Sequence, residues 1–97
     1  MTQLTLHLDS TQERFEAFHA AHPEVYMELA RLAREARSRG VRRLGIRLLW
    51  ERLRWSMLID KPEGDYAFND HYPAHYSRLL MQRESDLSGM FETRGDR

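Results

Sequence analysis

Between Arg31 and Arg54 the chain carries nine arginines and no lysine, opposed only by Glu35 and Glu51. A guanidinium is a planar, permanently charged fork that meets phosphate oxygens, carboxylates or a guanine edge through two parallel hydrogen bonds. The block is therefore suited to an anionic partner. A second group able to do chemistry is His71 and His75, four residues apart with Asp70 adjacent, which has the spacing of a metal-binding pair on one helix face. Pro73 lies between them at an expected helix start, and no third strong ligand stands nearby, so the reading is a surface polar cluster and no metal site. Asp60, Glu63, Asp65 and Asp70 could in principle hold magnesium for phosphodiester chemistry. Their setting, rich in Pro and Gly, reads instead as a solvated turn. No GxSxG, GxxxxGK[ST] or GxGxxG pattern occurs, and a chain without Cys has no thiolate zinc site, disulfide or Cys nucleophile. The expectation is a protein that is not an enzyme and carries no cofactor.

The charge is unevenly spread. The whole chain has 15 Lys and Arg against 15 Asp and Glu. The arginine block is balanced by five acids and one Arg in residues 1–30, and by eight acids against five bases in residues 55–97. Such asymmetry points to an acidic or anionic partner. The same arginines could instead pair with the acid-rich flanks, and one Lys against fourteen Arg also fits the codon bias of a GC-rich genome.

These side chains need a scaffold, and the chain is long enough for one. Its 97 residues, 41% hydrophobic with ten aromatics, suffice for one modest core. The expected domain is 1–97, with 1–9 and 92–97 frayed. Helix signals dominate. Ser10 and Glu13 form a capping-box pattern that predicts a first helix over about Thr11 to Ala21, with Phe15 and Phe18 as its aromatic face. Pro23 suits a first helical position, with His22 as cap, and Val25, Leu29, Leu32, Ala33 and Ala36 then form one stripe to Ser38. Gly40 fits the left-handed position after that helix.

A third helix, about Gly45 to Leu58, places Ile46, Leu49, Trp50, Leu53 and Met57 on one face. Leu48 and Trp55 fall on the other, among Arg47, Glu51, Arg52 and Arg54. A helix covered on both sides is the commoner explanation of such a pattern, and a face that meets a partner is the other. Residues 60–65 (DKPEGD) signal a turn, with Ile59 before it and Tyr66 and Phe68 after it alternating as a short hairpin would. Pro73 then opens a fourth helix to about Arg83. Its inner face carries Tyr72, Tyr76, Leu79 and Leu80, and its outer face His71, His75, Arg78 and Gln82. One more helical turn is expected within Asp86 to Phe91. The fold class is mainly α, with four to five helices and a winged-helix-like hairpin between the third and fourth. No run of 18 apolar residues and no basic leader is present, so the expected location is the cytoplasm, away from membranes.

Four stretches, FEAFHAAHPEVY (Phe15 to Tyr26), RLGIRLLWERLRW (Arg43 to Trp55), NDHYPAHYSRLLM (Asn69 to Met81) and DLSGMFETR (Asp86 to Arg94), occur in an order that resembles a family of short proteins of bacteriophages, prophages and bacterial genomes. The resemblance implies a phage-linked origin and carries over no catalytic residue.

Two functions follow as expectations. The first is DNA binding, with Arg37, Arg39, Arg42, Arg43, Arg47 and Arg54 on phosphates and His75 and Arg78 as candidate readers of base edges. The alternative is a phage-type module that inhibits or redirects a host protein through Leu48, Arg52 and Trp55, since Arg and Trp are favoured at interface centres. Self-association through the Leu48 and Trp55 face would give a homodimer and would compete with either partner.

Overall fold

Pro23 and Gly40 bracket the second helix of the fold. The computed structural model describes the backbone of residues 2–60 and 68–91, and the side chains of residues 11–60 and 68–91. Four helices follow in order: α1 (Thr2–Ala21), α2 (Pro23–Ser38), α3 (Ile46–Asp60) and α4 (Tyr72–Arg83), then one 3-10 turn at Ser85–Leu87. The mainly α class expected from the sequence is what forms.

Each boundary has a local cause. Pro23 occupies the start of α2 because its missing N–H is not needed there, and the His22 carbonyl accepts from the Val25 N–H at 3.0 Å. The His22 side chain itself makes no capping bond. At the other end, the Val41 N–H returns to the Ala36 carbonyl and the Gly40 N–H to the Arg37 carbonyl, each at 3.0 Å. That pair of bonds is a Schellman ending, and it sets Gly40 at φ +97°, a region that L side chains avoid. Asn69 opens α4 by accepting the His71 N–H on Oδ1 at 2.8 Å and the Tyr72 N–H on its carbonyl at 3.0 Å.

Two expectations are corrected. The first helix starts at Thr2, not near Thr11, so Ser10 and Glu13 lie within a helix and do not cap one. No Pro or Gly interrupts residues 2–21, and a capping pattern has no effect where the backbone ahead of it is already helical. Among the described residues no strand forms, and Ile59, expected in a hairpin arm, belongs to α3. The first breaker after Trp55 is Pro62, so helical spacing carries on through Ile59 to Asp60. The proposed turn and Tyr66 lie outside the described residues. The wing therefore has no counterpart among the described residues.

The core is a single aromatic and aliphatic cluster. Trp50, Tyr76, Val25, Leu29, Leu53, Leu80, Leu87 and Met90 are fully buried, and every helix contributes to the cluster around them. The ring of Tyr76 receives Phe15 of α1 edge-on at 4.7 Å and Trp50 of α3 at 5.8 Å, while Phe68 meets Trp50 edge-on at 5.2 Å. Phe15 and Phe18 form the aromatic face expected of them, and through Tyr76 and, at 4.9 Å, Tyr72 they tie α1 to α4. Leu87, Met90 and Phe91 close the bottom of the core. There the Leu44 N–H donates to the Met90 carbonyl at 3.0 Å and Leu44 pairs with Phe91, which pins the connector between α2 and α3.

Candidate interaction face

On α3 the inner stripe behaves as its periodicity predicts: Ile46, Leu49, Trp50 and Leu53 are buried. The outer side is the unusual one. Leu48 is 67% exposed, Trp55 60%, Leu58 65% and Ile59 56%, whereas Trp50 on the inner stripe is 0% exposed. The commoner explanation of the two-sided pattern, a helix covered all round, is therefore overturned. At 100° per residue, Leu48, Trp55 and Ile59 fall within roughly 40° of one another, forming a ridge about 16 Å long. A ridge of this kind has no role in the core already built beneath it.

The nine arginines divide into three groups. Four meet carboxylates. Arg31 pairs with Glu28 at 2.7 Å, Arg39 reaches Glu35 at 3.7 Å and Arg54 holds Glu51 at 3.2 Å. Arg34 makes the densest contact, donating from Nε and Nη2 to Asp86 at 2.8 and 3.1 Å and from Nη2 to Glu84 at 2.6 Å. Arg47 is tied more loosely, through a 3.4 Å bond from Nη2 to the Asp70 carbonyl. Arg37, Arg42, Arg43 and Arg52 are exposed and make no ion pair among the described residues. The sequence expectation of one block thus separates into guanidiniums already engaged by carboxylates, of which Arg34 alone links distant segments, and guanidiniums that remain available. Arg39 and Arg54, assigned to phosphates from the sequence, belong in part to the first kind.

Arg52 and the ridge share one helix. Arg52 flanks the ridge on one side, and on the other lie Glu51, held by Arg54, and beyond it Arg47 and Arg54. The connector bearing Arg42 and Arg43 leads into the ridge at its Leu48 end. Leu48, Arg52 and Trp55, named from the sequence as an interface, are thus brought together. Leu58, expected as the last residue of the helix, was assigned to no face, and Ile59 was missed because the turn signal after it suggested a strand. The signal that could have found them is the helical spacing from Trp55, three and four residues on.

The fourth helix offers less. His75 was placed on its outer face, but its ring is half-buried and stacks on Phe15 at 4.8 Å, and Arg78 donates from Nη2 to His75 Nδ1 at 3.2 Å. Burial first, then Arg78 and His71, keep the His75 imidazole below its ordinary value of 6.5, which favours the neutral acceptor form. His75 and Arg78 therefore satisfy each other, and neither is poised as a free reader of bases. Among the described residues no three His, Cys, Asp or Glu side chains converge as metal ligands. Tyr76, the most buried phenol, is pushed upwards by desolvation and is no base near neutral pH.

The sequence alternative, arginines paired with the acid-rich flanks, is met by Arg34, in a clamp whose partners the sequence did not name. Glu84 accepts from the Tyr26 hydroxyl at 2.7 Å while Arg34 spans Glu84 and Asp86, joining α2 to the segment after α4. The partners are 50 to 58 residues apart, so no local pattern announces them. Burial, followed by the bond to Glu84, pushes the Tyr26 phenol up to about 12.

Among the described residues no helix is long and apolar enough to cross a membrane. No family model, curated protein or solved structure matches the chain.

Proposed function

We propose that this is a small non-enzymatic interaction module that docks a protein through the outer face of α3. The observation that carries the reading is the exposure of Leu48 and Trp55, with Leu58 and Ile59 extending the same surface. Large apolar side chains left in water gain free energy when a partner covers them, and a Trp bordered by Arg is the composition found at energetic centres of interfaces. Under the phage-linked resemblance, the target is a host factor in the cytoplasm. The test is a capture experiment on nuclease-treated host lysate, comparing the wild-type chain with Trp55→Ala. A stoichiometric protein that is retained by the wild type and lost with a still-folded Trp55→Ala variant supports the reading. Equal retention by both refutes it.

A second reading, duplex DNA as partner, is favoured by one specific observation: Arg37, Arg42 and Arg43 are exposed beside the connector and make no close ion pair among the described residues, Arg37 feeling Asp86 only at longer range. If these three met phosphates, log K would fall against log salt with a slope of about −2.7. An Arg42→Ala/Arg43→Ala variant should then lose about two-thirds of that slope. Unchanged DNA binding by the variant removes this reading.

A further inference from the structure

Resting on the interaction reading above, we infer that the occupant of the α3 outer face is an acidic amphipathic helix of another protein. Its apolar side chains would lie along Leu48, Trp55 and Ile59, and its carboxylates against Arg52 on one flank and Arg47 on the other.

Charge decides the kind of partner. Residues 37–60 carry seven arginines (37, 39, 42, 43, 47, 52 and 54) against Glu51 and Asp60, a surplus of five positive charges. Of those two acids, Glu51 is already engaged by Arg54. A second copy laid on this face would double the surplus in one place, so self-pairing opposes itself electrostatically. A partner that is merely apolar would bury Arg52 with only Glu28, already held by Arg31, to offset its charge, and an under-compensated buried cation is costly. A carboxylate removes that cost, and the planar guanidinium can take it through two bonds. Arg47 can join because the 3.4 Å bond to the Asp70 carbonyl is long and readily exchanged for a charged acceptor.

Shape points the same way. The ridge runs along a single helix for about 16 Å, which is about three turns of a partner helix. Anchors at i, i+3 or i+4, and i+7 on that helix match the way an amphipathic helix presents an apolar stripe. Nucleic acid would use the guanidiniums but would leave Leu48, Leu58 and Ile59 unsatisfied.

The full chain reports binding through its own fluorescence. Trp50 is already buried and Trp55 is exposed, so a blue shift on titration reads cover over Trp55. Two synthetic three-turn peptides share one Leu pattern, with Glu at the remaining positions in the first and Lys in the second. A short DNA duplex is the third probe. The expected result is a saturable blue shift with the Glu peptide only, weakened by salt. Arg52→Glu should reduce the affinity about tenfold, the scale of one lost charge-assisted contact. Arg78→Glu, on α4, should leave it unchanged. Equal binding of both peptides, a shift with neither, a shift with DNA alone, or a concentration-dependent shift without any probe overturns the inference. If the peptides fail while Trp55→Ala still abolishes capture of a host protein, only the acidic partner class falls. If Trp55→Ala unfolds the domain, the docking face falls with it.

Discussion

Two tryptophans five residues apart on one helix should respond to truncation in opposite ways. Trp50 is 0% exposed and packs against Tyr76 and Phe68. Its replacement by Ala removes a whole buried side chain and leaves a cavity, a loss of about 3–5 kcal/mol. Trp55 is 60% exposed. The covered remainder, about 80 Å² of side chain at about 25 cal/mol per Å², sets an upper bound near 2 kcal/mol. Discounting for contacts that persist in the unfolded chain, and for the better helix propensity of Ala, brings the cost to about 1 kcal/mol. For a domain of this size, 1 kcal/mol shifts Tm by about 4–8 °C, so Trp50→Ala should lower it by about 12–40 °C and Trp55→Ala by less than about 8 °C. Thermal melts followed by far-ultraviolet circular dichroism measure both. A stable domain has only about 5–15 kcal/mol in total, so Trp50→Ala borders on unfolding and Trp50→Phe supplies the milder control. Comparable losses from Trp50→Ala and Trp55→Ala would show that Trp55 is core and that the outer face of α3 is covered.

Three further outcomes are expected. Glu84 is held below its ordinary 4.5 by Tyr26 and Arg34, and Asp86 below its ordinary 3.8 by Arg34, so their contribution is complete above those values and is lost as pH falls through the lowered ones. Melts across that acid range should show the loss, and Arg34→Ala should flatten it. His19 is lowered by burial first and by Arg83 second, so its stabilising neutral form is complete above 6.5 and is lost as pH falls below that value. His75 is lowered in the same way, so a His19→Gln variant should show a smaller downward step in Tm below 6.5, the remainder being that of His75. Gly40→Ala meets no atom within 4 Å but must hold φ +97°, so it should cost about 1 kcal/mol or more in chemical denaturation despite the empty space.

Elements whose cause is local were legible in the sequence. Pro23, the Val25 to Ala36 stripe and Gly40 fix α2 from its own residues, and the observed bonds at both ends follow from those residue types. Likewise Ile46, Leu49, Trp50 and Leu53 identify the buried side of α3 by period alone. What escaped depends on distance. Nothing near Arg34 indicates that its acceptors are Glu84 and Asp86, and nothing near Leu44 indicates that it hangs on Met90 and Phe91. The hairpin misreading has a different origin. Ile59, with Tyr66 and Phe68 beyond the turn, alternates at a period that a strand and the end of a helix can both satisfy over so few residues. The preceding helix settles the matter for Ile59, because propagating an existing helix by one residue is far easier than nucleating a new element.

The exposed face was legible as a pattern but not as a choice. Sequence periodicity shows that Leu48 and Trp55 oppose the core stripe, yet it cannot show whether a second layer covers them. The helices settle this by where they run: α1, α2 and α4 gather on the side of Trp50 and Tyr76, and Trp55 is left outside. The same packing redistributes the arginines. Arg34 is spent on a clamp that closes the C-terminal segment onto α2, and Arg31 and Arg54 sit within pairs on their own helices. Exposed pairs of that kind stabilise little, so a partner's carboxylate can displace them readily. Arg52 makes no close ion pair among the described residues, only a longer-range attraction to Glu28, and shares the outer side of α3 with Trp55. An arginine held beside a ridge of exposed apolar side chains is poorly suited to water alone and well suited to a surface that brings both a carboxylate and an apolar stripe.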